Sequence, residues 1–272
     1  MVKGAGMGWR KYFLVARLSM REASAYRVNH VVSFIVVAAP LIIVLLLWET
    51  IYDQQQKIAG LTRSQVLTYF ILTRWLFELT GPAVWWEITS DIRDGTLAAH
   101  LLRPEDYQAY QFPSIIGAKL PYAVVGLIVI FPFALFIGEA FLIPDSGLVW
   151  GGFLLSIALA MMMGYLFTYL FSLTAFWLEE GRGVELLADI AIPFAMGSML
   201  PLSFLPDAWE RFLSYLPFQY LLYFPVNIYL EKLTSEQVLL GLAVQIIWIG
   251  ALLLINKVVW NMGLRRFSAV GG

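Results

Sequence analysis

Few residues in this chain could do chemistry, and their spacing narrows the kind. Cysteine is absent, and His30 and His100 are the only histidines. That removes disulfides, thiolate metal sites and cysteine nucleophiles. No GxxxxGK[ST] loop and no HExxH motif occurs, so the chain has neither a phosphate cradle of that kind for ATP nor a zincin-type metal site. What remains is charge set in apolar surroundings. Arg74 and Glu78 stand four residues apart in a hydrophobic segment and share a helix face. Charges at such depth face a bundle interior, a cavity or a partner. The pair is either an ion pair that fixes packing or a polar point on a substrate route. Glu179, Glu180, Arg182, Glu185 and Asp189 gather around a Gly-Arg-Gly turn, where carboxylates suit a helix N-terminus or a soluble partner. The longest polar run is Glu87–Pro104, EITSDIRDGTLAAHLLRP, which holds Asp91, Arg93, Asp94 and Arg103.

That run is expected to form a short amphipathic helix, a break at Gly95, a second short helix and a stop at Pro104. Ile88, Ile92, Leu97, Leu101 and Leu102 supply its apolar side. A passive loop with solvated charges needs no such pattern, so the run is read as a handle by which a soluble partner moves the rest of the chain. His100, within it, is expected to be a surface or packing residue.

The rest of the chain is a membrane protein by composition. Of 272 residues 60% are hydrophobic and 14% charged, with a mean hydropathy of +0.74; soluble domains carry roughly 25% charged residues. A net charge of -1 gives no basic stripe for nucleic acid. The expected fold is all-α and integral to the membrane, a single transmembrane domain over residues 1–272 with six transmembrane helices. Residues 1–28 hold an amphipathic interfacial helix and no cleavable signal. The spans run over about 29–48, 64–86, 114–137, 148–177, 184–205 and 237–260. The handle and its tail fill 87–113. Residues 206–233, broken by Pro206, Pro217 and Pro225, are expected as short helices half-inserted from the outer side.

Orientation follows from Lys and Arg. With the N-terminus inside, 13 of the 18 fall on the inner side and four on the outer, Arg74 being within a span. The positive-inside rule places both termini and the handle in the cytoplasm. Along the fourth span Ser156, Ala160, Gly164, Thr168 and Ser172 recur every four residues, a stripe that admits close approach of another helix, within the chain or across a dimer. Beside it Met161, Tyr165 and Tyr169 either pack as aromatic core or line a route for an amphipathic molecule. Lys119 is expected to snorkel to the inner interface.

Three runs carry a family resemblance: WEIxxDIRDGTLxxxLLRP at Trp86–Pro104, PLSFLPDAWERFLSYLPF at Pro201–Phe218, and RRFSAVGG from Arg265. On these the chain resembles the permease subunit of the type-2 ABC exporter superfamily, in its bacterial drug- and viologen-exporter-like branch, over essentially its whole length. The resemblance implies that the N-terminal helix is a connecting helix, that the handle is the coupling helix seated in a cleft of a separate ATP-binding subunit, and that the Pro-rich segment forms re-entrant outer helices. It implies work in pairs with a second permease, the same or a related chain, in the bacterial inner membrane. ATP and magnesium would be bound by the ATPase, this chain having no cofactor of its own. Asp91, Arg93, Asp94, Gly95 and Arg103, with Glu179, Glu180 and Arg182, are expected to couple to the ATPase. Arg74, Glu78, Tyr165 and Tyr169 are expected on the substrate route. Two other classes stay open: a membrane-embedded enzyme acting on lipids, which needs convergent acidic or His residues at one depth, and an ion-gradient-driven secondary transporter, for which no internal repeat is visible.

Overall fold

The computed structural model describes residues 8–25, 27–53, 56–178 and 182–267, and side chains are described for all of these except 8–9, 27–38, 129–131, 136, 139, 182 and 187. Helix α1 (Gly8–Ala25) is followed by α2 (Arg27–Tyr52). A two-residue hairpin, β1 (Lys57–Ile58) with β2 (Leu61–Thr62), leads into α3 (Arg63–Thr80). Helices α4 (Trp86–Arg93) and α5 (Leu97–Leu101) form the handle, and α6 (Tyr107–Ile137) and α7 (Gly147–Ser172) follow. Short helices α8 (Arg182–Leu186) and α9 (Ile192–Ala195) are joined by a π-turn; α10 (Asp207–Ser214) and α11 (Tyr223–Tyr229) precede the long α12 (Ser235–Leu264).

Caps set several of these limits. Thr62 and Gln65 satisfy each other's backbone N–H groups at the start of α3, and Thr234 and Gln237 do the same for α12, each a reciprocal capping box. Among the described residues three helices are long and apolar enough to cross a membrane: Tyr107–Leu135, Gly147–Phe176 and Ser235–Leu264. The shorter apolar stretch Ala39–Tyr52 belongs to α2. The all-α membrane class expected from composition therefore holds.

Three boundaries differ from expectation. The second span ends at Thr80 rather than Trp86, because Gly81 and Pro82 interrupt the helix; Trp85 and Trp86 belong to the handle's entry. The third begins at Tyr107 rather than Ser114, because the Asp106 carboxylate accepts a hydrogen bond from Ala109 N–H at 2.8 Å and caps the helix there. Pro113 then sits inside α6 with Pro121 and Pro132, as apolar helices with close neighbours tolerate. The fifth segment is helical only over 182–195, with a π-turn at Leu187–Ala191, about 21 Å at 1.5 Å per residue. Gly197, at φ 80°, turns the chain out of it, and its carbonyl accepts from the buried Tyr69 hydroxyl at 2.6 Å.

The core joins α3, α7, α11 and α12. Polar bonds stitch it where water is absent: Gln245 Nε2 donates to the carbonyls of Ser156 (3.1 Å) and Tyr220 (2.9 Å), and Asn256 Nδ2 to that of Leu166 (3.1 Å). Such bonds hold helices together in lipid. The small-residue stripe of α7 is spent inside the chain: Ser156, Gly164, Thr168 and Ser172 are buried, and at Gly164 the helix touches the backbone of Thr80.

Candidate functional site

The handle is built around its own charges. Ile88, Ile92 and Leu97 are buried beneath it. The Asp91 carboxylate accepts from the Thr96 hydroxyl and from the Tyr107 hydroxyl, both at 2.7 Å, with His100 Nε2 3.6 Å away. One carboxylate thus ties α4, α5 and the start of α6 into a unit. His100 lies edge-on to Tyr107 at 5.3 Å, a packing position. Gly95 makes the corner at φ 79°, in the left-handed region that costs a side-chain-bearing residue about 1 kcal/mol or more. Arg93 Nη2 donates to the Leu178 carbonyl at 3.5 Å, joining the handle to the end of the fourth span.

Asp91 and Arg93 are therefore braces within the element. The groups turned outward are Asp94, Arg103, Leu102 (88% exposed) and Trp86 (75% exposed). Glu179 and Glu180 lie outside the described residues. Arg182 opens α8, and its side chain is likewise outside the description.

Two hydroxyls that sequence reasoning assigned only to close packing hold the handle's entry. The extended stretch after α3 runs along α7, where Thr168 Oγ1 accepts from Ala83 N–H at 3.2 Å and Ser172 Oγ from Trp85 N–H at 2.8 Å. Their signal was present as Thr and Ser where Gly or Ala suffices for close packing. Lys119 was also missed. It does not snorkel outward: its ammonium turns in and donates to the carbonyls of Leu79 (3.4 Å) and Gly81 (2.6 Å), at the end of α3. The Leu79 carbonyl lies in the last turn of α3, where carbonyls lack a partner within the helix, Gly81 follows the helix end, and a cation suits a helix C-terminus.

The four residues expected on a route divide between separate places. Arg74 Nη2 pairs with Glu78 Oε1 at 2.5 Å, and its guanidinium lies 5.8 Å from the Phe77 ring centre. Arg74 lines a cavity of about 490 Å³ between α2, α3 and the α8–α9 segment, with Phe70, Thr73 and Asp189 also on its wall. Tyr165 lines a different cavity of about 690 Å³ and donates to the Gln108 carbonyl. Tyr169 is buried between Tyr107 and Trp260. Among the described residues no group of three or more His, Asp or Glu is placed to hold a metal ion.

Long apolar helices, a braced polar element between α3 and α6 and polar stitching inside the bundle define an all-α integral membrane protein. The sequence profile of ABC-2 family transporter proteins matches residues 38–271, and the chain belongs to that family, the type-2 ABC permeases. It is a transport subunit without an ATP-binding cassette of its own, and membership implies an ATP-binding partner. No curated protein and no solved structure matches the chain.

Proposed function

We propose that this chain is the membrane subunit of a bacterial exporter that moves an amphipathic or apolar compound, a drug, lipid or similar molecule, out of the cytoplasm or inner leaflet. In this reading six segments cross the membrane, with both termini and the handle on the cytoplasmic side, as the positive-inside rule supports. A separate ATPase subunit docks on the α4–α5 handle, and a second permease, identical or related, completes the route. The observation that carries this reading is the handle's construction. Its internal charges are consumed by Tyr107, Thr96 and Leu178, while Leu102, Arg103 and Asp94 face outward. Internal bracing with an exposed apolar corner suits an element that docks a partner and passes force on. ATP-driven closure of two such ATPases would tilt α3 and α6 as packed rods.

Replacing Leu102 with Asp tests it. The variant should insert normally but lose stable co-purification with its ATPase, with about a 10-fold or greater drop in affinity, the size of an apolar anchor in a partner's pocket. Transport driven by an ion gradient with no ATPase bound would sink the proposal.

The cavity at Arg74 is taken as the entry for cargo, because its wall carries charge of both signs, Arg74 and Asp189, beside Phe70 and Phe77. Glu78→Gln leaves Arg74 with a neutral partner in an apolar setting, a change worth about 1–3 kcal/mol. Transport is expected to fall roughly 10-fold or more with membrane insertion unchanged. Unaltered transport assigns the pair to packing alone.

A further inference from the structure

The outward face of α1 has a pattern that helix packing leaves unused. Arg10, Arg17 and Arg21 are exposed and lie within about 40° of one line at 100° per residue. No ion pair engages them among the described residues, whereas Lys11 on the same helix pairs with Glu105. Exposed apolar residues flank the cationic line on both sides: Leu14 and Leu18 on one, Phe13 and Met20 on the other. The helix cannot roll to hide them. Its opposite face is pinned to α6 by the Ser19–Ser114 hydroxyl bond at 2.9 Å and by the Ala16 backbone, whose oxygen lies 2.3 Å from where a Cβ on Gly117 would stand. In water this face leaves apolar surface exposed, and in hydrocarbon it strands three cations. A membrane interface satisfies both, and anionic headgroups add attraction for the three cations. Beside it lies the cavity of about 690 Å³, lined by Tyr12, Phe13, Phe112, Met162 and Leu253 among others, so Phe13 borders both the cationic line and an apolar hollow.

We propose that α1 is a binding site for anionic phospholipid. Headgroup phosphates sit on Arg10, Arg17 and Arg21, whose guanidinium forks match phosphate oxygens, and one acyl chain enters the cavity beside Phe13. This rests on the reading that α1 lies at the inner leaflet.

The full chain, purified in mild detergent, is titrated with phosphatidylglycerol or with phosphatidylcholine, and thermal shift and bound lipid are measured, the latter by native mass spectrometry. Phosphatidylglycerol should half-saturate at a concentration at least 10-fold lower, and 0.5 M salt should shrink that preference. The triple variant R10Q/R17Q/R21Q should lose it, by up to about 100-fold for three charges near an anionic surface, with its phosphatidylcholine response unchanged. The triple Lys variant should keep part of it. Met162→Trp combined with Leu253→Trp, which narrows the cavity from two walls, should weaken both lipids alike; unchanged binding overturns the acyl-chain placement. Equal response of the unmodified chain to both lipids, or a preference that survives in the triple Gln variant, overturns the site. Orientation is read separately. The chain has no cysteine, so Ser24→Cys gives a single label, and reaction with an impermeant reagent on intact cells would defeat the inner-leaflet reading whatever the lipid preference.

Discussion

Gly164→Val is expected to leave almost no folded permease after detergent extraction. A Cβ at this position would lie 2.1 Å from the Thr80 oxygen and 2.9 Å from its carbonyl carbon. Both are backbone atoms, so no flexible side chain can yield. Overpacking of a core costs about 1–3 kcal/mol where side chains can shift, and here a helix end must move instead. Thr80 is the last residue of α3, and the stretch after it is hydrogen-bonded to Thr168 and Ser172, one and two turns further along α7. The milder Gly164→Ala is therefore expected to fold with a melting temperature lowered by several degrees and with the handle's entry displaced. In complex with its ATPase it should hydrolyse ATP with little transport. Gly151, on the same helix, has nothing within 4 Å of its would-be Cβ. Gly151→Ala should be neutral or stabilising by up to about 1 kcal/mol. If Gly164→Val matched Gly151→Ala in yield and melting temperature, the α3–α7 contact would not be what holds the bundle.

Local patterns were legible in the sequence where one physical signal dominated. The basic-apolar alternation marked a helix within residues 1–28, where α1 lies, and Gly95 marked the corner of the handle, because only the left-handed backbone fits there. Competing signals misled. Trp85 and Trp86 resemble an interfacial belt at the end of a span, yet Gly81-Pro82 had already stopped α3, and a belt signal carries no information on which helix owns it. Pro113 reads as a break, but the Asp106 cap upstream started α6 first. Direction was the least visible property. Sequence displays Asp91 and Arg93 as charges on a polar helix. Their partners lie 16 and 85 residues away, at Tyr107 and Leu178, so their inward orientation depends on tertiary packing. The same holds for Lys119, whose partners are backbone carbonyls 40 and 38 residues earlier; a backbone acceptor leaves no trace in side-chain pattern.

Lys119→Met should separate ATP hydrolysis from transport. The ammonium binds the Leu79 and Gly81 carbonyls at the point where α3 gives way to the handle's entry, and it does so from α6. The handle end of α3 is thereby fastened to α6 about three turns in from the start of α6. A second tie runs from the Trp75 indole N–H to the Ala123 carbonyl at 3.1 Å, about one turn further along α6. Met keeps the apolar stem and leaves two acceptors in apolar surroundings without a donor, at about 1–3 kcal/mol for each group left unsatisfied. The bundle retains its core contacts, so the protein should still insert and melt cooperatively a few degrees lower. What it loses is the rigid link, and a push on the handle would then bend the Gly81-Pro82 junction instead of tilting α3 with α6. The expected result is ATPase activity of the complex within about twofold of normal and transport lowered at least 10-fold. Lys119→Arg, which keeps a cation and its donors, should recover a substantial part of transport. Parallel loss of ATPase activity and transport, or equal loss in the Arg variant, would make Lys119 a stability element with no part in coupling.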